Sequence, residues 1–97
     1  MERKRLAQDH IAAELAALEG WGIEGDHIVK HFKFADFAES LEFVNRVGAV
    51  AEAADHHPDI TFGWGYADVA TTTHDRGGIT DVDLSLAARI DELIPAR

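Results

Sequence analysis

The residues best suited to chemistry lie in the middle of the chain, within residues 52–83. Two histidines stand side by side there, His56 and His57, and Pro58 follows them directly. A third histidine, His74, comes after a run rich in valine and threonine. Imidazole is the side chain that gains and loses protons near neutral pH, so it can serve as a general acid or base. The segment therefore predicts a small acid/base site built on histidines.

Carboxylates accompany the histidine pair. A residue before proline is pushed out of the helical region, so a helix is expected to end at this pair. In the last turn of that helix, Glu52, Asp55 and His56 are spaced so that they would share one face. Carboxylates there can orient an imidazole, although a histidine at a helix C-terminus can also be a surface residue stabilised by the helix dipole. The spacing alone is compatible with either role.

Composition restricts the class of protein. The chain has 97 residues, which suits a single domain spanning residues 1–97. It has no cysteine, so disulfides and thiolate metal sites are excluded. Nine basic and 18 acidic residues give a net charge of −9, which disfavours binding to nucleic acid. The sequence has no apolar run long enough for a membrane span and no signal-peptide core, so we expect a soluble cytoplasmic protein without membrane contact.

Hydrophobic spacing predicts elements in the order α-β-β-α-β-β-α. Helices are expected over residues 5–18, from Asp36 to the histidine pair, and from Thr80 to Pro95, and strands over 21–24, 27–34, 59–66 and 68–74. Asp36 and Thr80 each begin a capping pattern with an acidic residue three positions later. Two hairpins without a repeated βαβ unit predict an α+β fold, with a four-stranded antiparallel sheet and three helices packed on one face. An uncovered sheet edge would invite pairing with another copy.

The central helix and the strand after it carry much of the predicted core. Their apolar residues follow helical and alternating spacing: Phe37, Leu41, Val44, Val47, Gly48, Ala51 and Ala54 in the helix, and Ile60, Phe62, Trp64 and Tyr66 in the strand. Gly48 lowers helix propensity, so we expect it to permit close packing against a neighbour.

The chain also resembles a known family. The run Glu52-x-x-x-His56-His57-Pro58, followed after five residues by Trp64, after nine more by His74 and after eight more by Asp83, is similar to the signature of the pterin-4a-carbinolamine dehydratases. The resemblance includes Gly78-Ile79-Thr80 and covers about residues 15–90. One position differs, because Ile60 stands where the family often has an aromatic residue. If that position forms a wall of the pterin pocket, the substrate preference would differ.

This resemblance implies a metal-free dehydratase that needs no cofactor. Its substrate would be the 4a-hydroxytetrahydropterin left by an aromatic amino acid hydroxylase, and its products would be quinonoid dihydropterin and water. The residues that the resemblance makes catalytic are His56, His57 and His74. Within this set, His57 and His74 would carry protons and Glu52 would position His56. The residues that it makes substrate-binding are Glu52, Asp55, Trp64 and Asp83. A homodimer or homotetramer is expected.

Other roles are open for these residues. Trp64 could pack in the core, and Asp83 could cap the last helix. Glu52, His56 and His74 could supply two histidines and one carboxylate to a metal, although no ligand spacing such as H-E-x-x-H is present. The chain could also be a pterin-binding, assembly or co-activator module, because a fold does not fix a function. The clustering of acid/base residues favours the enzyme.

Overall fold

The fold places helices on one face of an antiparallel sheet. The computed structural model describes residues 5–94. These residues form α1 (Gln8–Leu15), β1 (Gly22–Glu24), β2 (His27–Lys33), α2 (Phe37–Ala54), β3 (Asp59–Gly63), β4 (Tyr66–Thr71), a 3₁₀ turn (His74–Arg76) and α3 (Asp81–Asp91). The predicted α+β class and the predicted element order are confirmed. The prediction that Pro95 ends the last helix lies outside the described residues.

The strand order brings the candidate catalytic histidines to one end of the sheet. The order is β1-β2-β4-β3, so the two hairpins meet through β2 and β4, and β3 is an edge strand. All neighbouring strands are antiparallel, with Ile28 opposite Thr71 and Asp59 opposite Ala70. β2 and β3 therefore begin, and β4 ends, at the same end of the sheet, which we call the histidine end. The β3–β4 turn lies at the opposite end.

Capping fixes the start of α2, and a left-handed residue fixes its end. The Asp36 side chain accepts a hydrogen bond from Glu39 N at 2.9 Å, and Glu39 Oε1 accepts one from Ala35 N at 3.0 Å. These reciprocal bonds satisfy amide groups that a helix leaves unpaired, so the predicted cap is confirmed. The helix stops at Ala54 because Asp55 has φ +51° and ψ +44°.

The buried face of α2 differs from the predicted stripe. The buried residues of this helix are Ser40, Phe43, Val47 and Ala51. Phe37 and Leu41 are exposed, because the helix is rotated so that the Phe43 ring packs on β2, with its centroid 4.6 Å from that of Phe32. Gly48 also departs from the prediction of close packing. A Cβ added there would meet no heavy atom of the described residues within 4 Å, the helix's own backbone aside.

The segment around His74 is a turn and not the end of a strand. β4 stops at Thr71, and His74 begins the 3₁₀ turn. This turn closes where Gly77 N donates to His74 O at 3.2 Å, and Gly77 adopts φ +70°, which glycine tolerates without strain. The backbone of Thr73 then pairs with Gly78. The chain is thereby folded back towards α3.

The outer helices agree with the predicted pattern in type but not in length. α1 covers Gln8–Leu15, which is shorter than the predicted 5–18, and buries only Ile11 among its residues. α3 begins at the predicted Thr80 cap and buries Leu86 and Ile90 against the sheet side of the molecule. None of the helices within residues 5–94 has the length and hydropathy needed to cross a membrane.

Candidate active site

A buried aspartate at the histidine end organises the site. Asp83 is 0% exposed, and its neighbour His56 is 6% exposed. Oδ1 of Asp83 lies 2.6 Å from His56 Nε2 and accepts a hydrogen bond from Thr71 Oγ1 at 2.6 Å. Oδ2 accepts hydrogen bonds from Thr73 Oγ1 at 2.8 Å and from Thr80 N at 2.9 Å. Each carboxylate oxygen therefore has two partners.

The carboxylate fixes the tautomer of the His56 ring. An ionised carboxylate only accepts hydrogen bonds, so Nε2 of His56 carries the proton in this contact. In the neutral imidazole the lone pair is then on Nδ1. Burial of both groups is tolerated because every buried side-chain nitrogen or oxygen within residues 5–94 has a hydrogen-bond partner. His56 consequently has a defined tautomer and a fixed orientation.

Local sequence patterns bring the partners of Asp83 together. Thr71 and Thr73 are two residues apart at the end of β4, so their side chains project to the same side. Asp83 is the third residue of α3, and its bond to Thr80 N completes a capping box. The predicted capping role of Asp83 is confirmed. In the single chain its carboxylate is fully buried and contacts His56, so a direct contact of Asp83 with a substrate stays a prediction.

Glu52 contacts His57 and not His56. Nε2 of His57 lies 2.5 Å from Glu52 Oε2 at the surface. The helical spacing from Glu52 to His56 does not apply, because the helix has ended and the left-handed Asp55 turns the chain first. The prediction that Glu52 positions His56 is therefore wrong, and Asp83 has that role. Since Nε2 of His57 also faces a carboxylate, its Nδ1 is the nitrogen left for another group.

His74 approaches the histidine pair from β4. The β3–β4 ladder begins at Asp59, opposite Ala70, so His57 enters β3 at the end of the sheet where the chain leaves β4 towards His74. The His74 ring itself packs edge to face against His27, with centroids 6.3 Å apart and planes at 75°. The three predicted catalytic histidines thus lie at one end of the sheet, and each has a different partner.

The alternative metal site is not assembled. The three side chains contact three different partners. Glu52 contacts His57, His56 contacts the buried Asp83, and His74 packs against His27. Within the part of the chain that the structure describes, no group of three or more His, Asp or Glu side chains is placed to hold a metal ion. The arrangement supplies imidazoles held by carboxylates, which is a set suited to proton transfer.

One predicted substrate-binding residue, Trp64, lies far from this network. Trp64 occupies the β3–β4 turn at the opposite end of the sheet from His57, and it is 71% exposed. A single chain therefore does not bring Trp64 to the histidines, and its substrate contact stays a prediction. The alternative core role of Trp64 is wrong, because the side chain is largely exposed. Asp55 is exposed next to the histidine pair, where its backbone ends α2. A substrate contact of Asp55 stays a prediction.

A cavity of about 820 Å³ lies away from these residues. It opens between β2 and α2, has Phe43 in its wall, and is lined by none of the predicted site residues. Two ion pairs lie in its lining: Lys30 Nζ donates to Asp91 Oδ1 at 3.0 Å, and Arg46 pairs with Glu42. The cavity and the carboxylate-held histidines therefore lie in different parts of the molecule. The histidine end is the candidate active site, because it gathers His56, His57 and His74 with two of their carboxylate partners.

Comparison with known proteins identifies the family. Residues 4–93 match the family model described as pterin 4 alpha carbinolamine dehydratase. A protein of Sulfurisphaera tokodaii that is provisionally named a pterin-4-alpha-carbinolamine dehydratase is 44% identical over 91 residues, which cover 94% of this chain and 98% of that protein. The chain belongs to the pterin-4a-carbinolamine dehydratase family, as its resemblance implied.

Solved structures share the fold. A crystal structure from Brucella melitensis, described as a transcriptional coactivator/pterin dehydratase, has a TM-score of 0.89 and 31% identity, and the match covers 95% of this chain and 100% of that one. A pterin dehydratase-like protein, identified as a RuBisCO assembly factor in the alpha-carboxysome, has a TM-score of 0.64 and 23% identity over 79% of this chain and 89% of its own. The second likeness shows the fold alone. Proteins with this fold therefore carry different named roles.

Sequence reasoning missed several residues of the site. The strand pattern predicts Thr71 and Thr73 only as strand residues, yet both donate to Asp83. The sequence does contain a pattern that indicates them: two hydroxyl residues spaced to share one face at the end of a strand, followed by the capping acid Asp83. His27 and Asp59 carry no comparable signal, because only the order of the strands brings them together.

Proposed function

We propose that this protein dehydrates a 4a-hydroxytetrahydropterin to a quinonoid dihydropterin and water by histidine general acid/base catalysis. The observation that carries the proposal is the presence of two carboxylate-held histidines, His56 with Asp83 and His57 with Glu52, at the sheet end that also carries His74. Membership of the family supports the substrate class. An aromatic amino acid hydroxylase is the proposed source of the substrate.

The reaction requires two proton movements. The bond between C4a and the hydroxyl oxygen breaks, the departing hydroxyl takes up a proton to leave as water, and a ring nitrogen of the pterin gives up a proton. No electrons are gained or lost overall. A proton donor and a proton acceptor therefore meet the chemical demand, and imidazole can act as either near neutral pH.

The histidines are suited to different tasks. His57 and His74 are exposed, so they can exchange protons with solvent between turnovers, and we assign the proton transfers to them. Glu52 orients His57. His56 is buried and held by Asp83, so it presents Nδ1 to the substrate as a hydrogen-bond acceptor in a fixed direction. Fixed polar groups reduce the reorganisation that a transition state demands.

Stopped-flow absorbance of 4a-hydroxytetrahydropterin decay tests the proposal. The wild type should accelerate decay well above the spontaneous rate, with or without EDTA. His57→Ala and His74→Ala should each lose about 10²- to 10⁴-fold of this acceleration, the usual contribution of a general acid or base. The double variant should return to the spontaneous rate.

His31→Ala is the matched control. His31 is also an exposed histidine paired with a carboxylate, Asp68, but it lies in the middle of the sheet. This variant should keep full activity, because its imidazole is outside the site. A wild type that leaves the spontaneous rate unchanged, or a His31→Ala variant as impaired as His57→Ala, would refute the proposal.

We also propose that the protein forms a homo-oligomer through β3. As an edge strand, β3 offers unpaired backbone groups to another strand. Its sequence is self-complementary: in an antiparallel pair centred on Thr61, Ile60 of one copy faces Phe62 of the other, and both are half-buried in the single chain. The same register puts Trp64 opposite Pro58 of the second copy. The substrate contact predicted for Trp64 would then be made across the interface.

Trp64→Ala distinguishes a role of Trp64 at the β3 interface between two copies from a role of Trp64 within a single chain. Because the Trp64 side chain is largely exposed, its loss should leave the thermal stability of the monomer unchanged while it weakens association and raises KM. Sedimentation equilibrium measures the association. Ile23→Ala is the control, because Ile23 is an exposed apolar residue on the other edge strand. A monomeric wild type, or equal effects of the two variants, would contradict pairing through β3.

A non-catalytic binding module is the second candidate. The exposed apolar side chains of Phe37, Leu41 and Trp64 favour it, because such groups are typical of contact surfaces. In that case the wild type would show no turnover, and binding to a partner protein would be weakened by Leu41→Glu but not by His57→Ala. The dehydratase proposal expects the opposite dependence for turnover, so the two candidates give different results in the same variants.

A further inference from the structure

His27 begins β2 at the histidine end of the sheet. Its neighbour Ile28 is buried on the helix side, so His27 projects from the opposite, open face. Its ring meets the ring of His74 edge to face, with centroids 6.3 Å apart and planes at 75°. Its Nε2 lies 4.0 Å from Oδ2 of Asp59, the first residue of β3. His27 is therefore placed between His74 and the strand that follows the histidine pair.

The strand register explains why these side chains meet. The pairing of β2 with β4 puts His27 level with Thr72, and Asp59 pairs with Ala70. Ala70 in β4 and Thr72 just after it have small side chains, which leaves room for the His27 imidazole to lie across them. Thr72 Oγ1 also donates to Asp26 O at 2.5 Å and ties the β1–β2 turn to the end of β4. The hairpin that carries His27 is thereby fixed to the segment that carries its ring partner.

We propose that His27 is a positioning residue that holds the ring of His74. His74 is exposed in a short 3₁₀ turn, where the backbone does little to restrain its side chain. The edge-to-face contact restricts the ring, and this arrangement is favourable for aromatic pairs. Asp59 attracts His27 from the other side whenever His27 is protonated. The effect on turnover rests on the proposed dehydration, whereas the ring contact does not.

Two simpler explanations account for less of the geometry. A metal site would need a converging set of ligands, and the described residues contain none. A surface ion pair between His27 and Asp59 would involve only one of the two contacts and contributes little at an exposed position. Neither explains why the side chain of His27 is only 32% exposed and packed ring to ring with His74.

NMR of the full chain without substrate tests the contact, and steady-state kinetics tests its effect. The wild type should give an NOE between the ring protons of His27 and His74, and His27→Ala should raise the mobility of the His74 ring. His27→Ala should lower kcat by about 3- to 10-fold, the usual size of an aromatic pair contribution, with little change in KM. His27→Phe keeps the aromatic edge and should restore most of kcat. His31→Ala, on the same strand and face, should change neither.

Each alternative result decides the proposal. A wild type without the ring-to-ring NOE overturns the contact. Unchanged kcat in His27→Ala, or a loss that His27→Phe does not restore, overturns positioning by the ring. If the wild type shows the NOE but no dehydration, the proposed function fails, and the mobility of the His74 ring in His27→Ala alone decides the positioning role. If His27→Ala does not fold, His27→Gln takes its place as the variant without a ring.

Discussion

Replacing Asp83 with asparagine should change the tautomer of the His56 imidazole without unfolding the protein. The amide keeps the shape of the side chain, and its oxygen can accept from Thr73 Oγ1 and Thr80 N as Oδ2 does in the wild type. The amide nitrogen then takes the place of Oδ1, 2.6 Å from His56 Nε2, where it donates instead of accepting. The imidazole must therefore move its proton from Nε2 to Nδ1.

The hydrogen bonds of the site set the size of the expected effects. Bonds to the carboxylate are worth about 1.5–3 kcal/mol each, against about 0.5–1.5 kcal/mol for neutral ones, but a neutral amide costs less to bury. We therefore expect Asp83→Asn to lower the free energy of unfolding by about 1–3 kcal/mol, which lowers Tm by about 4–24 °C. In the proposed contact with the substrate, His56 Nδ1 would then present an N–H where the wild type presents a lone pair. Such a mismatch costs about 1–3 kcal/mol, or about 5- to 150-fold in kcat/KM.

Three measurements follow the ring, the rate and the stability. Nitrogen NMR at a pH where the ring is neutral should show His56 protonated on Nε2 in the wild type and on Nδ1 in Asp83→Asn. Stopped-flow decay of the carbinolamine gives kcat/KM, and thermal unfolding gives Tm. Thr71→Val is the matched control, because it removes one hydrogen bond to the same Oδ1 without changing the tautomer. It should cost about 1.5–3 kcal/mol of stability and leave kcat/KM within about twofold.

An unchanged His56 tautomer in Asp83→Asn would refute this reasoning. Equal losses of kcat/KM in Asp83→Asn and Thr71→Val would also refute it, because activity would then follow the stability of the fold and not the state of the ring.

Other substitutions test the fold and the exposed half of the site. Gly48→Ala should raise Tm by about 4–8 °C, because it removes a helix penalty of about 1 kcal/mol and its methyl group meets open space; a lower Tm would indicate a partner at this position. Gly65→Ala should lower the urea midpoint by the equivalent of about 1 kcal/mol or more, because Gly65 has φ +80° and a Cβ would lie 3.2 Å from Phe34 O; an unchanged midpoint would contradict this strain. Glu52→Gln should change the free energy of unfolding by no more than about 0.5 kcal/mol while it lowers kcat/KM, since Glu52 orients His57 at the surface; equal kinetics in both proteins would remove that role.

Local patterns predicted the fold well because caps and periodicity depend on neighbouring residues. The acidic caps at Asp36 and Thr80 both form as predicted. The face of α2 could not be predicted in the same way. Phe37 and Leu41 fit the helical period as well as Phe43 does, and only the packing of Phe43 on β2 decides which residues are buried.

The site shows the same division between local and distant information. Residue types and spacing identified the histidines, but they assigned the wrong carboxylate to His56. One left-handed residue, Asp55, ends the helical spacing before His56 is reached. The true partner, Asp83, is 27 residues away, and the start of α3 places it beside Thr71 and Thr73 after the packing of distant elements. His27 has no local signal at all, because its role depends on the strand order.

The two carboxylate-histidine pairs differ in what their loss would mean for the history of such a chain. His57 and Glu52 are exposed, so on the proposed mechanism a substitution there would remove activity at almost no structural cost. His56 and Asp83 also hold the start of α3, so selection for shape alone is sufficient to retain them. On the proposed mechanism, a single surface substitution in a chain with this architecture would therefore remove turnover and leave the fold intact.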